Sequence, residues 1–209
     1  MGFFLDSYSL IINFQFFTRT NLQHLQEITI PKLIKYIKKH ALLKMGIAVP
    51  RISTRGYYDL STGKTLKTNS YFLYPKKSFD NLSRSKEVTI MIHGLRNDNA
   101  GAIAKVVLAK NRLKKLGYSH PVIGYSYDSN TTGAHLLKHA KHSLAVGQII
   151  AKKNGQNLGK FIEDFKIKNP KIKIRLIGHS LGSQVILSTV EYLSKKKQNK
   201  GIIESIYFF

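Results

Sequence analysis

The sequence predicts an α/β fold: a mainly parallel sheet with helices on both faces, preceded by an N-terminal helix and a β-hairpin. Three observations carry that prediction. From Glu87 onward, apolar β-rich runs alternate with segments of helical period. The connections between those runs are too long for hairpins and suit parallel crossovers. Val88–Ile92 and Ile202–Phe209 are nearly continuous apolar runs, as strands covered on both faces are.

Taken in order, Leu10–Phe17 is apolar but contains Asn13 and Gln15, and is far shorter than the ~20 residues of a membrane span. No basic region precedes it and Asp6 interrupts it, so it reads as a buried or interfacial segment rather than a signal peptide. Asp6 also stands where a myristoylation signal requires Ser or Thr. Over Asn21–Lys44, apolar residues from Leu22 to Leu43 recur at spacings of three and four, which predicts an amphipathic helix started or kinked at Pro31. Two β-rich runs, Ser53–Asp59 and Leu66–Tyr74, flank Ser61-Thr62-Gly63-Lys64 and predict a hairpin. A polar connection over 75–86 closes this extension, so the expected division is 1–86 and a core of 87–209.

Within the core, strands are expected at Glu87–His93, His120–Ser126, Ile172–Ile177 and Ile202–Phe209. Helices are expected at Asn99–Leu116, ended by Gly117, at Thr132–Lys168 with a break near Asn154-Gly155, and at Ser180–Leu193. Lys171, Lys173 and Arg175 are unusual in a buried strand and point to thin cover on one face there.

The 209 residues suffice for a real core, and 43% apolar content with 11 Tyr and 11 Phe argues against general disorder. With 34 Lys+Arg against 11 Asp+Glu the formal charge is +23. The basic residues are spread over nearly every segment, with no recognition helix, zinc-finger spacing or aromatic ribonucleoprotein motif. Weak attraction to polyanions is expected and specific nucleic-acid binding is not. Absence of cysteine excludes disulfides, thiol catalysis and Cys-based zinc sites.

The chemistry concentrates in "KIKIRLIGHSLGSQVIL". A strand, the turn Gly178-His179-Ser180-Leu181-Gly182 and a helix follow one another. A serine hydroxyl is a weak nucleophile and must be presented free of the sheet, beside a base and an anion site. Glycines two residues either side of Ser180 remove the Cβ atoms that would collide in so sharp a turn. Ser180 then stands at a helix N-terminus, and the backbone N–H of Leu181 faces a developing oxyanion. The five-residue pattern alone is weak. Its apolar strand and its helix, with a face of Leu181, Val185, Leu187, Val190 and Leu193, make it specific. A second motif agrees: "VTIMIHGLRND" places His93-Gly94 after the first core strand, where the Leu95 N–H is the other candidate oxyanion donor. His93 itself reads as a brace for that loop.

This order of strand-HG, helix, strand, helix, strand-GHSLG, helix, strand resembles the α/β-hydrolase superfamily in its lipase- and esterase-like branch, over about Glu87 to Phe209. Segments "PVIGYSYDS" and "AKKNGQNLGKFIEDF" and the N-terminal preamble are similar to small uncharacterised microbial and archaeal members. The resemblance implies Ser180 as nucleophile and Leu95 and Leu181 as oxyanion donors.

In that superfamily the acid and then the histidine follow the serine. After Ser180 the acids are Glu191, within the elbow helix, and Glu204, within a strand, and there is no histidine. Asp128, after the strand His120–Ser126, is the best acid candidate in the chain; its alternative is a turn-forming Asp before Ser129-Asn130. His135, His139 and His142 recur at helical spacing but are interleaved with Lys138 and Lys141 and read as a solvated basic face, not a metal site. His179 reads as structural. The expectation is that the chain is the first part of an α/β-hydrolase, with acid and histidine beyond Phe209. The function expected is acyl hydrolysis of a small-molecule or lipid ester, without a cofactor, by a cytoplasmic protein that associates weakly with anionic membranes. The alternative is a non-catalytic binding or scaffold protein that keeps the elbow for packing.

Overall fold

Strand alternation sorts the core onto two sides of the sheet. The computed structural model describes residues 49–68 and 70–209, all within the unit Ala41–Phe209. The strands are β1 (Arg51–Ser53), β2 (Phe72–Tyr74), β3 (Glu87–Ile92), β4 (Val122–Ser126), β5 (Lys173–Gly178) and β6 (Ser205–Phe208). They form one sheet in the order β2-β1-β4-β3-β5-β6, with β2 antiparallel and every other pairing parallel. The helices are α1 (Lys77–Asp80), α2 (Asn99–Lys115), α3 (Ala140–Lys168) and α4 (Gly182–Ser194).

One side of the sheet carries Val88, Ile90 and Ile92 of β3, Ile123 and Tyr125 of β4, and Ile174 and Leu176 of β5. Against them pack Val146, Ile150, Leu158 and Ile162 of α3 and Val185 and Ile186 of α4. The other side carries Met91, Val122 and Ile177 under Ile103, Val106 and Val107 of α2. Each fully buried side chain of this size contributes about 1.5–3 kcal/mol. Among the described residues α2 is the helix on this side, and beyond it Arg175 of β5 lies partly exposed, ion-paired to Glu87 and bonded to Ser205.

The described α3 runs without interruption through Asn154 and Gly155, where the sequence suggested a break. Asn154 is fully buried because its Oδ1 accepts from Thr54 Oγ1 at 2.6 Å and Tyr125 OH at 2.8 Å, while its Nδ2 donates to Ile150 O. Gly155 and Gly159 let α3 approach Ser188 and Tyr192 of α4, since a Cβ there would lie 2.4 and 2.3 Å from those residues. Small size serves helix packing at these positions.

The expected hairpin also changes shape. Its paired strands are Arg51–Ser53 and Phe72–Tyr74, with a single bridge between Tyr58 and Thr65 inside the connection. Both strands join the core sheet, because β1 pairs with β4. The expected apolar segment Leu10–Phe17 and helix Asn21–Lys44 lie outside the described residues. Among the described residues no helix is long and apolar enough to cross a membrane.

Candidate active site

β5 ends at Gly178, three residues turn, and α4 starts at Gly182. Ser180 at the apex is exposed and has φ 51°, the left-handed region that non-glycine residues enter at a cost of order 1 kcal/mol. The flanking glycines fit by necessity. A Cβ on Gly182 would lie 2.5 Å from Ile92 O, and one on Gly178 would lie 2.9 Å from the Ser183 nitrogen. The elbow therefore presses directly on the end of β3.

Backbone amides of this turn are mostly committed. His179 N–H donates to Ile92 O at 3.0 Å, Ser180 N–H to Phe209 O at 2.9 Å, and Gly182 N–H to His179 O at 2.9 Å. Leu181 N–H has no acceptor among the described residues. Its position at the start of α4 adds the partial positive charge of the helix end.

The loop after β3 meets this turn. A Cβ on Gly94 would stand 2.9 Å from both Ser180 Cβ and His179 O. Leu95 N–H also lacks an acceptor among the described residues. The side chains of Leu95 and Leu181 come together over Gly147 of α3, where a Cβ would lie 2.7 and 3.0 Å from them. The structure thus brings Ser180, Leu95 and Leu181 to one sheet edge, with Gly94, Gly178 and Gly182 making the contacts possible.

His93 is fully buried behind this edge, its ring stacked on Tyr127 with centroids 4.6 Å apart. Its Nε2 accepts from Tyr127 N–H at 3.2 Å and faces Arg55 Nη2 at 3.3 Å, so the proton sits on Nδ1 and is donated to Gly94 O at 3.0 Å. Burial, reinforced by Arg55, lowers its pKa to about 3, so the ring stays neutral at ordinary pH. His179 is half-buried, its Nδ1 without a hydrogen-bond partner among the described residues, and burial followed by Lys105 lowers its pKa.

Asp128 is spent elsewhere. Its Oδ1 accepts from Gly56 N–H at 3.0 Å and its Oδ2 from Tyr57 and Tyr58 N–H at 2.9 and 3.1 Å. It anchors the loop after β1, and no described histidine hydrogen-bonds to it. The local Asp128-Ser129-Asn130 turn does not reveal this role, because the donors lie some seventy residues away in sequence. His135, His139 and His142 are exposed, and His135 and His142 bond Asn130 Oδ1 and Ser61 O. Glu191 is exposed on α4, and Glu204 pairs with Lys173 at 2.9 Å. Among the described residues no histidine hydrogen-bonds to Ser180.

Two contributors escaped sequence reading. Arg55 donates from Nε to Ser126 Oγ at 2.8 Å and from Nη2 to the carbonyls of Asn97 and Asp98, each at 3.0 Å. Asn97 donates through Nδ2 to Gly94 O at 3.0 Å and Leu95 O at 2.8 Å. Neither sits in a recognisable motif; Asn97's place in the "HGLRND" loop was the only available signal.

This strand order, with a serine elbow after β5 and an HG loop after β3, fits one comparison. A family model described as an alpha/beta hydrolase of unknown function (DUF900) matches residues 76–209. The chain belongs to this α/β-hydrolase family. Comparison with curated proteins and with solved structures gives no match.

Proposed function

We propose that this α/β-hydrolase is a serine hydrolase of the esterase or lipase type, with Ser180 as nucleophile and the Leu95 and Leu181 amides as oxyanion donors. The observation that carries the reading is the selective vacancy of the elbow: of the amides from His179 to Gly182, only that of Leu181 lacks an acceptor among the described residues. An exposed serine in a left-handed conformation beside an unoccupied donor supports use of that donor by a ligand.

In the proposed reaction Ser180 Oγ attacks the ester carbonyl carbon and its proton passes to a base outside the described residues. The carbonyl oxygen takes up the negative charge facing the two amides. Collapse expels the alcohol, which receives that proton, and water then hydrolyses the acyl-serine by the same path. Carboxylic esters of lipid-like or small acyl groups are the proposed substrates. The excess of basic residues favours anionic ones and weak association with an anionic membrane.

A second reading, a binding or scaffold protein that keeps the elbow for packing, draws support from the absence of a histidine bonded to Ser180 among the described residues. A fluorophosphonate probe separates the two. Labelling of the parent that disappears in Ser180→Ala is expected for the hydrolase, whereas a parent that takes up no serine-dependent label is the scaffold protein.

A further inference from the structure

We infer that Arg55 and Asn97 are positioning residues that aim the Leu95 amide at the oxyanion. The inference rests on the assignment of Ser180 as nucleophile and of Leu95 as a donor to it. In a trans peptide the carbonyl and the following N–H point in opposite directions. The direction of the Leu95 N–H is therefore fixed by whatever holds the Gly94 carbonyl. That carbonyl is held on its inner side by two donors, His93 Nδ1–H and Asn97 Nδ2–H, each at 3.0 Å. The Leu95 N–H consequently points away from the buried histidine.

The next peptide is set in the same way. Leu95 O accepts from Asn97 Nδ2 at 2.8 Å, and the Arg96 N–H opposite it donates to Ser129 O at 2.9 Å. Arg96 takes φ 63° to make this turn. Asn97 can serve both carbonyls only while its own backbone stays fixed, and Arg55 provides that restraint. One Nη2 reaches the Asn97 and Asp98 carbonyls while Nε grips Ser126 Oγ at the end of β4. A planar guanidinium spans these acceptors at once, which a lysine ammonium does not do with the same geometry.

Between β3 and α2 the segment 93–98 has no regular secondary structure to hold it. Its carbonyls at 94, 95, 97 and 98 are all taken by side-chain donors. Arg55, largely withdrawn from water, makes no direct ion pair with a described carboxylate, although Asp128 and Asp98 lie near enough to favour its charge. Its Nη2 hydrogen bonds go to the Asn97 and Asp98 carbonyls. Such an arrangement costs more than a neutral brace and fits a loop whose direction matters more than its stability.

The experiment uses the full chain and two probes, a fluorophosphonate and p-nitrophenyl butyrate, with Ser180→Ala as the blank. Arg55→Ala and Asn97→Asp are compared with the parent. Asn97→Asp keeps the shape but replaces the donating amide group with an oxygen that only accepts. The expected result is a fall in kcat and in the maximal labelling rate of about 10–100-fold, the range for a displaced oxyanion donor, with KM within about threefold. Millimolar methylguanidinium restores part of the rate to Arg55→Ala, and Arg55→Lys does not recover it. Folded variants with the parental kcat, or with a change confined to KM, overturn the inference. If Arg55→Ala does not fold, Asn97→Asp decides alone, with folding checked by circular dichroism. A parent without Ser180-dependent labelling removes the nucleophile assignment together with this inference. Ser180-dependent labelling that neither variant slows overturns this inference and leaves the nucleophile assignment standing.

Discussion

Replacing Gly182 with alanine sets two effects of known sign against each other. Alanine is favoured over glycine inside a helix by up to about 1 kcal/mol, and less at the first position of α4. The added Cβ, however, would lie 2.5 Å from Ile92 O, 2.9 Å from His93 O and 3.0 Å from the Ile92 carbonyl carbon. These are backbone atoms and have no rotamer in which to retreat. Ile92 belongs to β3, held on both sides by β4 and β5, so the elbow must move instead. About 0.5 Å is needed merely to bring the shortest contact to 3.0 Å. Overpacking of this kind costs about 1–3 kcal/mol, which outweighs the helical gain and leaves a net loss of about 1–2 kcal/mol. Urea unfolding at constant m measures it, and labelling by the fluorophosphonate falls with the displaced serine. Gly117→Ala is the control: among the described residues nothing lies within 4 Å of an added Cβ, so its φ of +85° is the obstacle that remains. A Gly182→Ala protein at least as stable as the parent would refute the steric account of the elbow.

His93 carries a pH dependence. Its folded pKa of about 3 lies below the ordinary 6.5, so the unfolded chain binds the proton first. Its contribution is complete above pH 6.5 and declines by about 1.4 kcal/mol per unit as pH falls from there toward 3. His93→Gln is expected to flatten that part of the stability profile; an unchanged slope contradicts a neutral His93. Asp128→Asn removes one of the two oxygens that together accept from three backbone donors, and is expected to cost about 2–3 kcal/mol in urea unfolding. Loss of Ser180 labelling in this variant should track the folded fraction, whereas a slower rate in fully folded protein gives Asp128 a part in the chemistry. Ser180→Gly removes the left-handed strain and is expected to raise stability by about 1 kcal/mol while abolishing labelling, as read by denaturation and by the probe. A destabilised Ser180→Gly protein would mean that the serine side chain holds the turn.

The sheet was legible because its inner strands are buried on both faces and announce themselves as apolar runs, Val88–Ile92 above all. The elbow was legible because its constraint is local: two glycines, one serine and a strand-to-helix change within ten residues. What escaped depends on partners far along the chain. Asn154-Gly155 looks like a helix break until Thr54 and Tyr125 are known to satisfy the asparagine and α4 to occupy the space beside the glycine. Arg55 belongs to a short polar stretch after β1, and only the β1–β4 pairing brings it beside the HG loop. The two expected hairpin runs misplace the strands for the same reason, since their register is fixed by β4 and not by the turn between them.

The hydrogen bonds of β6 give the elbow a further meaning. Phe209 N–H donates to Gly178 O and Phe209 O accepts from Ser180 N–H, both at 2.9 Å. The parallel pairing of β5 with β6 is thereby carried one step beyond the strands and into the turn. The Ser180 amide, which also neighbours the hydroxyl, is thus withdrawn from competition for an incoming anion. His179 N–H is withdrawn in the same way by Ile92 on the opposite side. Strands on both flanks of β5 absorb the amides that precede the apex, and the start of α4 presents the one that follows it. The position of the donor is therefore set by the sheet order β3-β5-β6 as much as by the sequence Gly178 to Gly182. A short turn of the same composition outside such a sheet would lack Ile92 O and Phe209 O as acceptors for the His179 and Ser180 amides.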